Sequence, residues 1–425
     1  MNVDDLYKAR KRNSLYNTSY PLSPSDWSKY RINRPLAFGQ EDLSFYLHIP
    51  FCQQLCSFCE YTRMLIPNEQ IQSFYIDHLD SDMHAFVKTL HKGCRLQGFD
   101  VGGGTPTVLS DSMFLRLMNL CRSIMTNMDR CEDFEPSIEG TFHTISRDKL
   151  RMMVDNGFHR ISLGVQSSSN DVLENSNRRT VTLGDMERVF YMAHVAGIRK
   201  VNLDFMYGLP HQTLHSIEND LQVVRILQPE QVTLYELRTN MIKKWNNTTP
   251  EDRYDMYSLF YEGLTAMGYF APFGQNTFSL CADDMGVSSY LRHRMSDCTP
   301  YKGFGLSAQS MSSEGVAYNL GKNRAGIAKL LERPTYSEEC TYLLPPLERA
   351  SKYIAIAAYS GVFSLSTLDR ILKGDARQVY ASQIDFCVNN GLLEFDNNKM
   401  RITRKGFKYY GAVFSLFYDN KNVVI

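Results

Sequence analysis

Three cysteines stand close together near the start of the sequence, in the stretch FYLHIPFCQQLCSFCEYTRM (residues 45–64). Cys52, Cys56 and Cys59 are separated by three and then by two residues, and an apolar segment typical of a β-strand precedes them. A disulfide requires two thiols and a structural zinc site requires four protein ligands, but no fourth cysteine follows within about thirty residues. The cysteines therefore indicate a metal centre with one coordination position left open.

Thiolate chemistry favours an iron–sulfur cluster at this position. Three thiolates can hold three corners of a cubane [4Fe–4S] cluster, and the fourth iron is then free to bind a chelating ligand such as a substrate. The alternative is a zinc site with His48 as the fourth ligand, but this side chain would have to turn back past Pro50. The other cysteines are scattered singly, and most are expected to be buried fillers or inert thiols.

A glycine run follows the second predicted strand. Gly102, Gly103 and Gly104 precede Thr105 in the stretch GGGTPT. Such a run lets backbone amides and carbonyls approach a charged ligand without obstruction by side chains. A tight turn from strand to helix would explain it equally well, but beside the cysteines it is a candidate for holding an amino-acid group.

Polar residues also interrupt or end other apolar strand patterns. Glu139 and Asp204 lie inside such patterns, and Gln166 and Arg178 lie near another strand end. A buried carboxylate without a partner is costly, so each either pairs within the fold or contacts a bound polar ligand. An α-amino-acid head group and a ribose are ligands that a carboxylate, an arginine and backbone amides would suit.

The elements that must position these residues alternate between strand and helix. Helical patterns, such as residues 68–90 and 146–157, separate short apolar runs, which predicts an α/β fold with a parallel sheet. We expect a partial (β/α)6 TIM-like barrel, in which working residues gather at the carboxyl ends of the strands. The six predicted strands cover residues 45–50, 98–102, 136–142, 160–166, 201–208 and 231–237.

The βα alternation weakens after residue 240. Residues 243–253 are predicted as a polar linker, 253–269 as an amphipathic helix and 304–313 as a turn region. From about residue 345 the pattern is helical with a short hairpin at DNNK, which predicts a winged-helix-like domain. Without net basic charge, a packing or lid role is expected for this domain. The predicted divisions are an N-terminal arm (1–44), the barrel (45–240), a barrel extension and substrate region (241–340) and the C-terminal domain (341–425).

The composition limits the class of protein. Apolar residues make up 43% of the 425 residues and charged residues 22%, which is typical of a globular chain. Basic and acidic residues are equal at 46 each, so nucleic acid or an anionic membrane is not expected as a partner. No segment approaches the roughly 18 apolar residues of a spanning helix, and the start has no apolar run typical of a signal peptide. We expect a cytoplasmic protein.

Taken together, these motifs resemble a known family. YLHIPFCQQLCSFC, GGGTPT, IEG, RISLGVQ and NLDFMYGLPHQT, in this order and spacing, are similar to the radical S-adenosylmethionine (SAM) superfamily, and more narrowly to its oxygen-independent coproporphyrinogen III oxidase-like branch. The resemblance covers roughly residues 13–240, and residues 345–425 more loosely. YNTSYPLSP (residues 16–24) also resembles the N-terminal segment of those oxidases.

The resemblance implies a role for each candidate residue. The three cysteines would bind the [4Fe–4S] cluster, and one or two molecules of SAM would be bound beside it. Tyr46 and the turn from Gly102 to Thr105 would contact the methionine moiety of SAM, and Glu139 and Arg178 its charged groups. Reductive cleavage would give a 5′-deoxyadenosyl radical, with a flavodoxin or ferredoxin as electron donor.

The remaining implied contacts concern the nucleoside of SAM. Phe58 would lie against the adenine, and Gln166 and Asp204 would contact the ribose side. The implied substrate is a small molecule such as a coproporphyrinogen III-like tetrapyrrole, which would undergo oxidative decarboxylation.

Two other activities in the same family stay open. The oxidases carry a further cysteine two positions after the third, where this chain has Tyr61, so a radical C-methyltransferase or cyclopropanase is an alternative. A haem chaperone is the alternative that is not an enzyme. Its haem-binding segment contains His and Trp, and the stretch compared with it here, FGQNTF (residues 273–278), has neither.

Overall fold

The computed structural model describes residues 2–12, 20–21, 24–237, 248–321 and 338–418, and the side chains of residues 338 and 339 are left out of the description. Residues 16–19 and 22–23 of the N-terminal segment noted above therefore lie outside the described residues, as do residues 243–247 of the predicted linker. Within the described part of the chain, no helix is long and apolar enough to cross a membrane.

The strands are, in chain order, β1 (Arg31–Ile32), β2 (Leu43–Ile49), β3 (Phe51–Cys52), β4 (Met64–Leu65), β5 (Leu96–Gly103), β6 (Pro136–Gly140), β7 (Arg160–Gln166), β8 (Lys200–Tyr207), β9 (Gln231–Glu236), β10 (Thr277–Ser279), β11 (Tyr301–Phe304), β12 (Gln309–Met311), β13 (Gly315–Asn319), β14 (Glu338–Leu343), β15 (Val362–Ser364), β16 (Leu393–Asp396) and β17 (Lys399–Ile402). The α-helices are α1 (Val3–Lys11), α2 (Glu69–Val87), α3 (Asp111–Thr126), α4 (Arg147–Asp155), α5 (Asn170–Asn175), α6 (Leu183–Ala196), α7 (Leu214–Leu227), α8 (Pro250–Ala266), α9 (Ser289–Ser296), α10 (Pro346–Ala357), α11 (Leu365–Leu372), α12 (Ala376–Val379), α13 (Ala381–Asn389), α14 (Arg404–Phe407) and α15 (Tyr410–Ser415). Short 3-10 helices cover Pro24–Tyr30, Pro106–Val108 and Ala358–Ser360.

A parallel sheet of adjacent strands forms the barrel, and all six predicted strands are present in it. They are hydrogen-bonded in the order β2-β5-β6-β7-β8-β9, and every neighbouring pair is parallel. Consecutive helices α2, α3, α4, α6, α7 and α8 pack against one another. This is the expected partial (β/α)6 barrel, because each crossover helix covers the outer face of its strands.

The sheet continues beyond the six strands. β11 lies parallel to β2, with Tyr301 beside Ser44, and β12, β13, β14 and β1 extend that edge in antiparallel fashion. The prediction of a turn region at residues 304–313 is wrong in part, because Gln309–Met311 forms β12. The linker prediction also ends too late, since α8 begins at Pro250, after the capping Thr249.

The two faces of the barrel strands differ in polarity. Phe45 of β2 packs on Phe86 of α2, so odd-numbered residues of β2 face the helices. Tyr46 and His48 therefore face the interior, where they pair in register with Asp100 and Gly102 of β5. The barrel interior is consequently lined by polar side chains and glycines, while the apolar core lies between sheet and helices.

The C-terminal domain has the expected winged-helix-like form and is held against both the barrel and the N-terminal arm. β16 and β17 form the predicted hairpin, and β15 completes a small sheet. Phe407 lies on Tyr257 of α8 with ring centroids 4.2 Å apart. From the arm, Trp27 Nε1 donates to the buried carboxylate of Glu348 over 3.0 Å, and Tyr20 donates to the same carboxylate.

Candidate functional site

The three cysteines lie on a closed loop that follows β2. β3 and β4 form a short parallel pair that joins the two ends of this loop, with Cys52 beside Leu65. Cys52 and Cys56 are buried and Cys59 is partly buried. Within the described residues, no three His, Cys, Asp or Glu side chains are grouped closely enough to hold a single metal ion. A cubane cluster makes a different demand, since it binds each thiolate to a different iron.

The glycine turn packs directly against this loop. Gly104 N donates to Ile49 O and Thr105 N donates to Phe51 O, each over 2.8 Å. A Cβ atom on Gly104 would lie 2.9 Å from Cys52 Sγ, so no larger residue fits at this point. The hydroxyl of Thr105 also lies 3.9 Å from Cys52 Sγ. The turn after β5 therefore positions the first cysteine.

A second turn, after α5, holds the other side of the cysteine loop. Ser57 N donates to Ser176 O over 3.0 Å, and Asn177 Nδ2 donates to Leu55 O over 2.9 Å. Asn177 adopts a left-handed backbone conformation with φ of 50°, which asparagine tolerates better than most residues. This turn delivers Arg178, whose Nη1 lies 3.6 Å from Cys56 Sγ.

Arg63 is a residue of this site that the sequence analysis did not single out. Its guanidinium donates to Cys56 O over 2.7 Å and to Tyr61 O over 3.2 Å, so it braces the loop from within. Burial raises the pKa of Cys52 to about 11 and also raises the pKa of Cys59, while the charge of Arg63 opposes both shifts. The sequence signal that could have identified Arg63 is a basic residue close to the three cysteines.

Glu139 lies on the glycine run inside the barrel. Its Oε2 accepts a hydrogen bond from Gly103 N over 3.1 Å, and a Cβ atom on Gly102 would lie 2.6 Å from its carboxyl carbon. The carboxylate is surrounded by barrel strands but is reached by solvent from the interior. Burial, with the nearby charge of Asp204, raises the pKa of Glu139 to about 7.

Gln166 and Arg178 converge on a glycine of β7. A Cβ atom on Gly164 would lie 2.7 Å from Gln166 Nε2 and 2.9 Å from Arg178 Nη2, and Arg178 donates to Gly164 O. Gln166 has φ of 71°, which turns its side chain at a bulge in the ladder between β7 and β8. The two polar residues therefore meet at the strand end despite their separation in sequence.

Asp204 has partners within the barrel. It accepts hydrogen bonds from Ser162 Oγ and Asn202 Nδ2, each over 2.8 Å. Burial raises its pKa, and these hydrogen bonds oppose the shift. Asp204 is therefore paired within the fold, and the accessible part of its side chain can in addition contact a bound ligand.

Tyr46 and His48 form one hydrogen-bonded pair. Tyr46 Oη lies 3.2 Å from His48 Nδ1, and His48 Nε2 lies 2.8 Å from Thr62 O. Because a carbonyl oxygen only accepts, Nε2 carries the proton and Nδ1 accepts from the tyrosine. Both ring nitrogens are thereby engaged, which does not support His48 as a zinc ligand.

Phe58 lies apart from the polar residues. It packs with Tyr235 against a small apolar cluster at the carboxyl end of β8 that includes Met206, Leu209 and Leu237. It is partly buried, so part of its side chain is accessible.

Two cavities lie at opposite ends of the barrel. One of about 330 Å³ is lined by Cys56, Thr105, Gly164 and Arg178, and so joins the cysteine loop to the turns after β5 and β7. The other, of about 910 Å³, lies at the amino ends of β6 and β8 and includes none of the predicted site residues. The predicted residues therefore gather at the carboxyl ends of the barrel strands and in the adjoining part of the barrel interior.

Comparison with known proteins adds to this geometry. Residues 46–224 match the family model of the Radical SAM superfamily. The heme chaperone HemW of Lactococcus lactis is 25% identical over 391 residues, which cover 89% of this chain and 98% of that relative. The oxygen-independent coproporphyrinogen III oxidase of Escherichia coli is 29% identical over 325 residues, which cover 71% of this chain and 69% of the relative.

The solved structure of coproporphyrinogen III oxidase (HemN) from Escherichia coli superposes with a TM-score of 0.72. The superposition covers 89% of this chain and 90% of that one at 24% identity, and it shows that the two chains share a fold.

Proposed function

We propose that Cys52, Cys56 and Cys59 bind a [4Fe–4S] cluster and that SAM binds beside them, a proposal supported by the match of residues 46–224 to the Radical SAM superfamily model. The observation that carries the proposal is the convergence of the cysteine loop, the glycine turn and Arg178 at one rim of the barrel. The residues present suit both groups. Three thiols stand next to two arginines, and the glycine turn leaves backbone exposed where a Cβ atom would collide with Cys52.

When bound, the cluster supplies the electron that cleaves SAM to methionine and a 5′-deoxyadenosyl radical. The chain positions the reactants and excludes water. In this proposal Arg178 binds the carboxylate of SAM, and Glu139, next to Gly103 N, binds its amino group. Tyr46 and the glycine turn enclose the methionine moiety, Phe58 covers the adenine, and Gln166 and Asp204 contact the ribose side. We expect one or two bound SAM molecules, and binding stoichiometry measures their number.

For the substrate, we propose a coproporphyrinogen III-like tetrapyrrole that undergoes oxidative decarboxylation. The named activity of the Escherichia coli relative and the fold shared with its solved structure support this choice. The polar, solvent-reached interior below the cysteine loop is the place for the substrate. A flavodoxin or ferredoxin is the proposed electron donor, with no nucleic acid involved, and the cytoplasmic location stays a prediction.

A haem chaperone is the second candidate. It is favoured by the Lactococcus lactis relative, which aligns over 98% of its own length, whereas the Escherichia coli oxidase aligns over 69%. The aligned share of the relative's length favours the chaperone, whereas the sequence identity favours the oxidase. An assay therefore has to distinguish the two functions.

The first experiment tests the cluster. After anaerobic reconstitution, we expect a brown protein with a broad absorbance band at about 400 nm from sulfide-to-iron charge transfer. Cys56→Ala should abolish the band. Cys281→Ala, at an exposed cysteine outside the barrel interior, is the matched control and should leave it intact. An unchanged spectrum in Cys56→Ala would refute the assignment of the ligands.

The second experiment tests the reaction. Reduced, reconstituted protein is incubated with SAM and coproporphyrinogen III, and 5′-deoxyadenosine and the porphyrin products are identified by mass. Loss of carboxyl groups supports decarboxylation, and a gain of methyl groups supports the methyltransferase. A stable one-to-one haem complex without turnover of coproporphyrinogen III supports the chaperone.

A further inference from the structure

Helix α9 lies inside the barrel, below the candidate cofactor site. A Cβ atom on Gly98 of β5 would lie 2.5 Å from Tyr290 Cα, so the helix backbone rests on that strand. Ser288 Oγ donates to Asp100 Oδ2 over 2.6 Å. Gly98, Asp100 and Gly102 alternate along one face of β5, and Glu139 contacts the last of them. Helix α9 and Glu139 are therefore on the same, interior side of the sheet.

Arg294 projects from this helix into a cluster of neutral groups. Its Nη1 donates to Tyr290 Oη over 3.1 Å and its Nη2 to Gln309 Oε1 over 3.4 Å. The guanidinium lies 4.6 Å from the ring centroid of Tyr301. Its Nε is buried without a hydrogen-bond partner. Among the residues that the structure describes, no carboxylate lies within ion-pair distance of Arg294.

An enclosed guanidinium without a counterion is energetically unfavourable. Arginine stays charged in proteins, and a buried cation costs several kcal/mol unless an anion and hydrogen bonds compensate it. Asp100 is close enough to interact electrostatically, but burial raises its pKa to about 7 and its nearer partner is Ser288. The tyrosines stabilise the charge only through their rings and hydroxyl dipoles. The environment of Arg294 thus lacks one anion.

Arg294 is also within reach of a molecule in the barrel. Part of its side chain is accessible, and Tyr290 beneath it stacks on Tyr46 with ring centroids 5.9 Å apart and an interplanar angle of 20°. Tyr61 of the cysteine loop, 58% exposed, is close enough to interact electrostatically with both Tyr46 and Arg294. Tyr290, Tyr46 and Tyr61 therefore lie between Arg294 and the cysteine loop at the rim.

We propose that Arg294 binds a carboxylate group of the substrate inside the barrel. This rests on the proposed function only in that the barrel interior holds the substrate. The planar guanidinium suits a carboxylate or a phosphate equally in shape. The interior also holds the carboxyl groups of Glu139 and Asp204 and therefore tolerates one added negative charge better than two, which favours a carboxylate. The substrate class is thus a small molecule with acidic side chains, such as the propionates of a tetrapyrrole.

The test compares two stable ligands that differ in charge. The reconstituted full-length protein is titrated with coproporphyrin III and with its tetramethyl ester in the same detergent-containing buffer, and binding is followed by fluorescence. Arg294→Gln should weaken binding of the tetra-acid by about 10-fold to 100-fold, the range for a hydrogen bond to a charged group, and change binding of the ester by less than about 3-fold. Arg294→Lys should recover part of the loss.

Arg292→Gln is the matched control. Arg292 lies on the same helix but pairs with Asp133, near the amino end of β6. Its substitution should therefore leave both affinities unchanged. Thermal unfolding of each variant separates misfolding from loss of contact. Equal loss of acid and ester in a stably folded Arg294→Gln, no loss at all, or no binding of the tetra-acid to the unaltered protein would each overturn the proposal. Selective acid binding without decarboxylation would overturn only the proposed oxidase activity.

Discussion

Gly104 is the position where a single methyl group should separate the cysteine loop from the barrel. In Gly104→Ala the new carbon would lie 2.7 Å from Phe51 O, 2.9 Å from Ile49 O and 2.9 Å from Cys52 Sγ, distances that Cβ atoms essentially never show. Two of these atoms belong to the backbone, so no side-chain rotation relieves the contact. The turn and the loop must move apart.

The cost follows from the contacts that are lost. Moving the turn weakens the hydrogen bonds from Gly104 N to Ile49 O and from Thr105 N to Phe51 O. Each is worth about 0.5–1.5 kcal/mol, and overpacking of a well-packed site costs typically about 1–3 kcal/mol. We expect the free energy of unfolding to decrease by about 1–3 kcal/mol. We also expect a lower iron content, because Cys52 no longer keeps its position relative to the other two cysteines.

Two measurements check this prediction. Denaturant unfolding of the metal-free protein reports the loss of stability, and iron and sulfide analysis after anaerobic reconstitution reports cluster loading. Gly184→Ala is the matched control, since nothing lies within 4 Å of the added carbon and the residue is in helix α6. It should load normally and gain up to about 1 kcal/mol. If Gly104→Ala kept the stability and the iron content of this control, the close contact between the turn and the cysteine loop would not be what requires glycine at position 104.

Three further predictions address other parts of the molecule. Arg178→Gln should leave the cluster spectrum intact, because its guanidinium lies near Cys56 without being a ligand, but should weaken SAM binding at least about 10-fold by equilibrium dialysis. Burial raises the pKa of Glu139 from 4.5 to about 7, so between these values the folded protein retains a proton that the unfolded chain has released, and stability decreases as the pH rises through this range. Glu139→Gln should therefore make unfolding less dependent on pH between 4.5 and 7, and an unchanged pH dependence would contradict the assignment. Glu348→Gln replaces a buried acceptor of Trp27 Nε1 by an amide and should cost about 1–3 kcal/mol, with faster hydrogen exchange in residues 24–32; protection equal to that of the original protein would show that the carboxylate does not anchor the arm.

Local pattern was sufficient for much of the barrel and for the resemblance to the Radical SAM superfamily, whose model residues 46–224 match. Strand periodicity located the six barrel strands, and the spacing of Cys52, Cys56 and Cys59 indicated an incomplete metal ligand set. Because parallel strands present their carboxyl ends at one edge, the residues that follow them were expected to meet there. The glycines of the GGGTPT stretch look interchangeable in the sequence, but the structure requires them for different reasons. Gly102 makes room for Glu139, and Gly104 makes room for Cys52.

Features encoded within short windows could be predicted from the sequence: the strands, the helices, the cysteine loop and the glycine run. Other features became visible only in the folded chain: β11 joins the barrel beside β2, Arg63 braces the cysteine loop, and Arg294 enters the interior with no carboxylate of the described residues within ion-pair distance. The tertiary structure also decided that Asp204 is paired and that both nitrogens of His48 are engaged. Most of these outcomes depend on contacts between elements far apart along the chain, and the periodicity of one segment carries no information about which distant segment will neutralise, cover or pair with it.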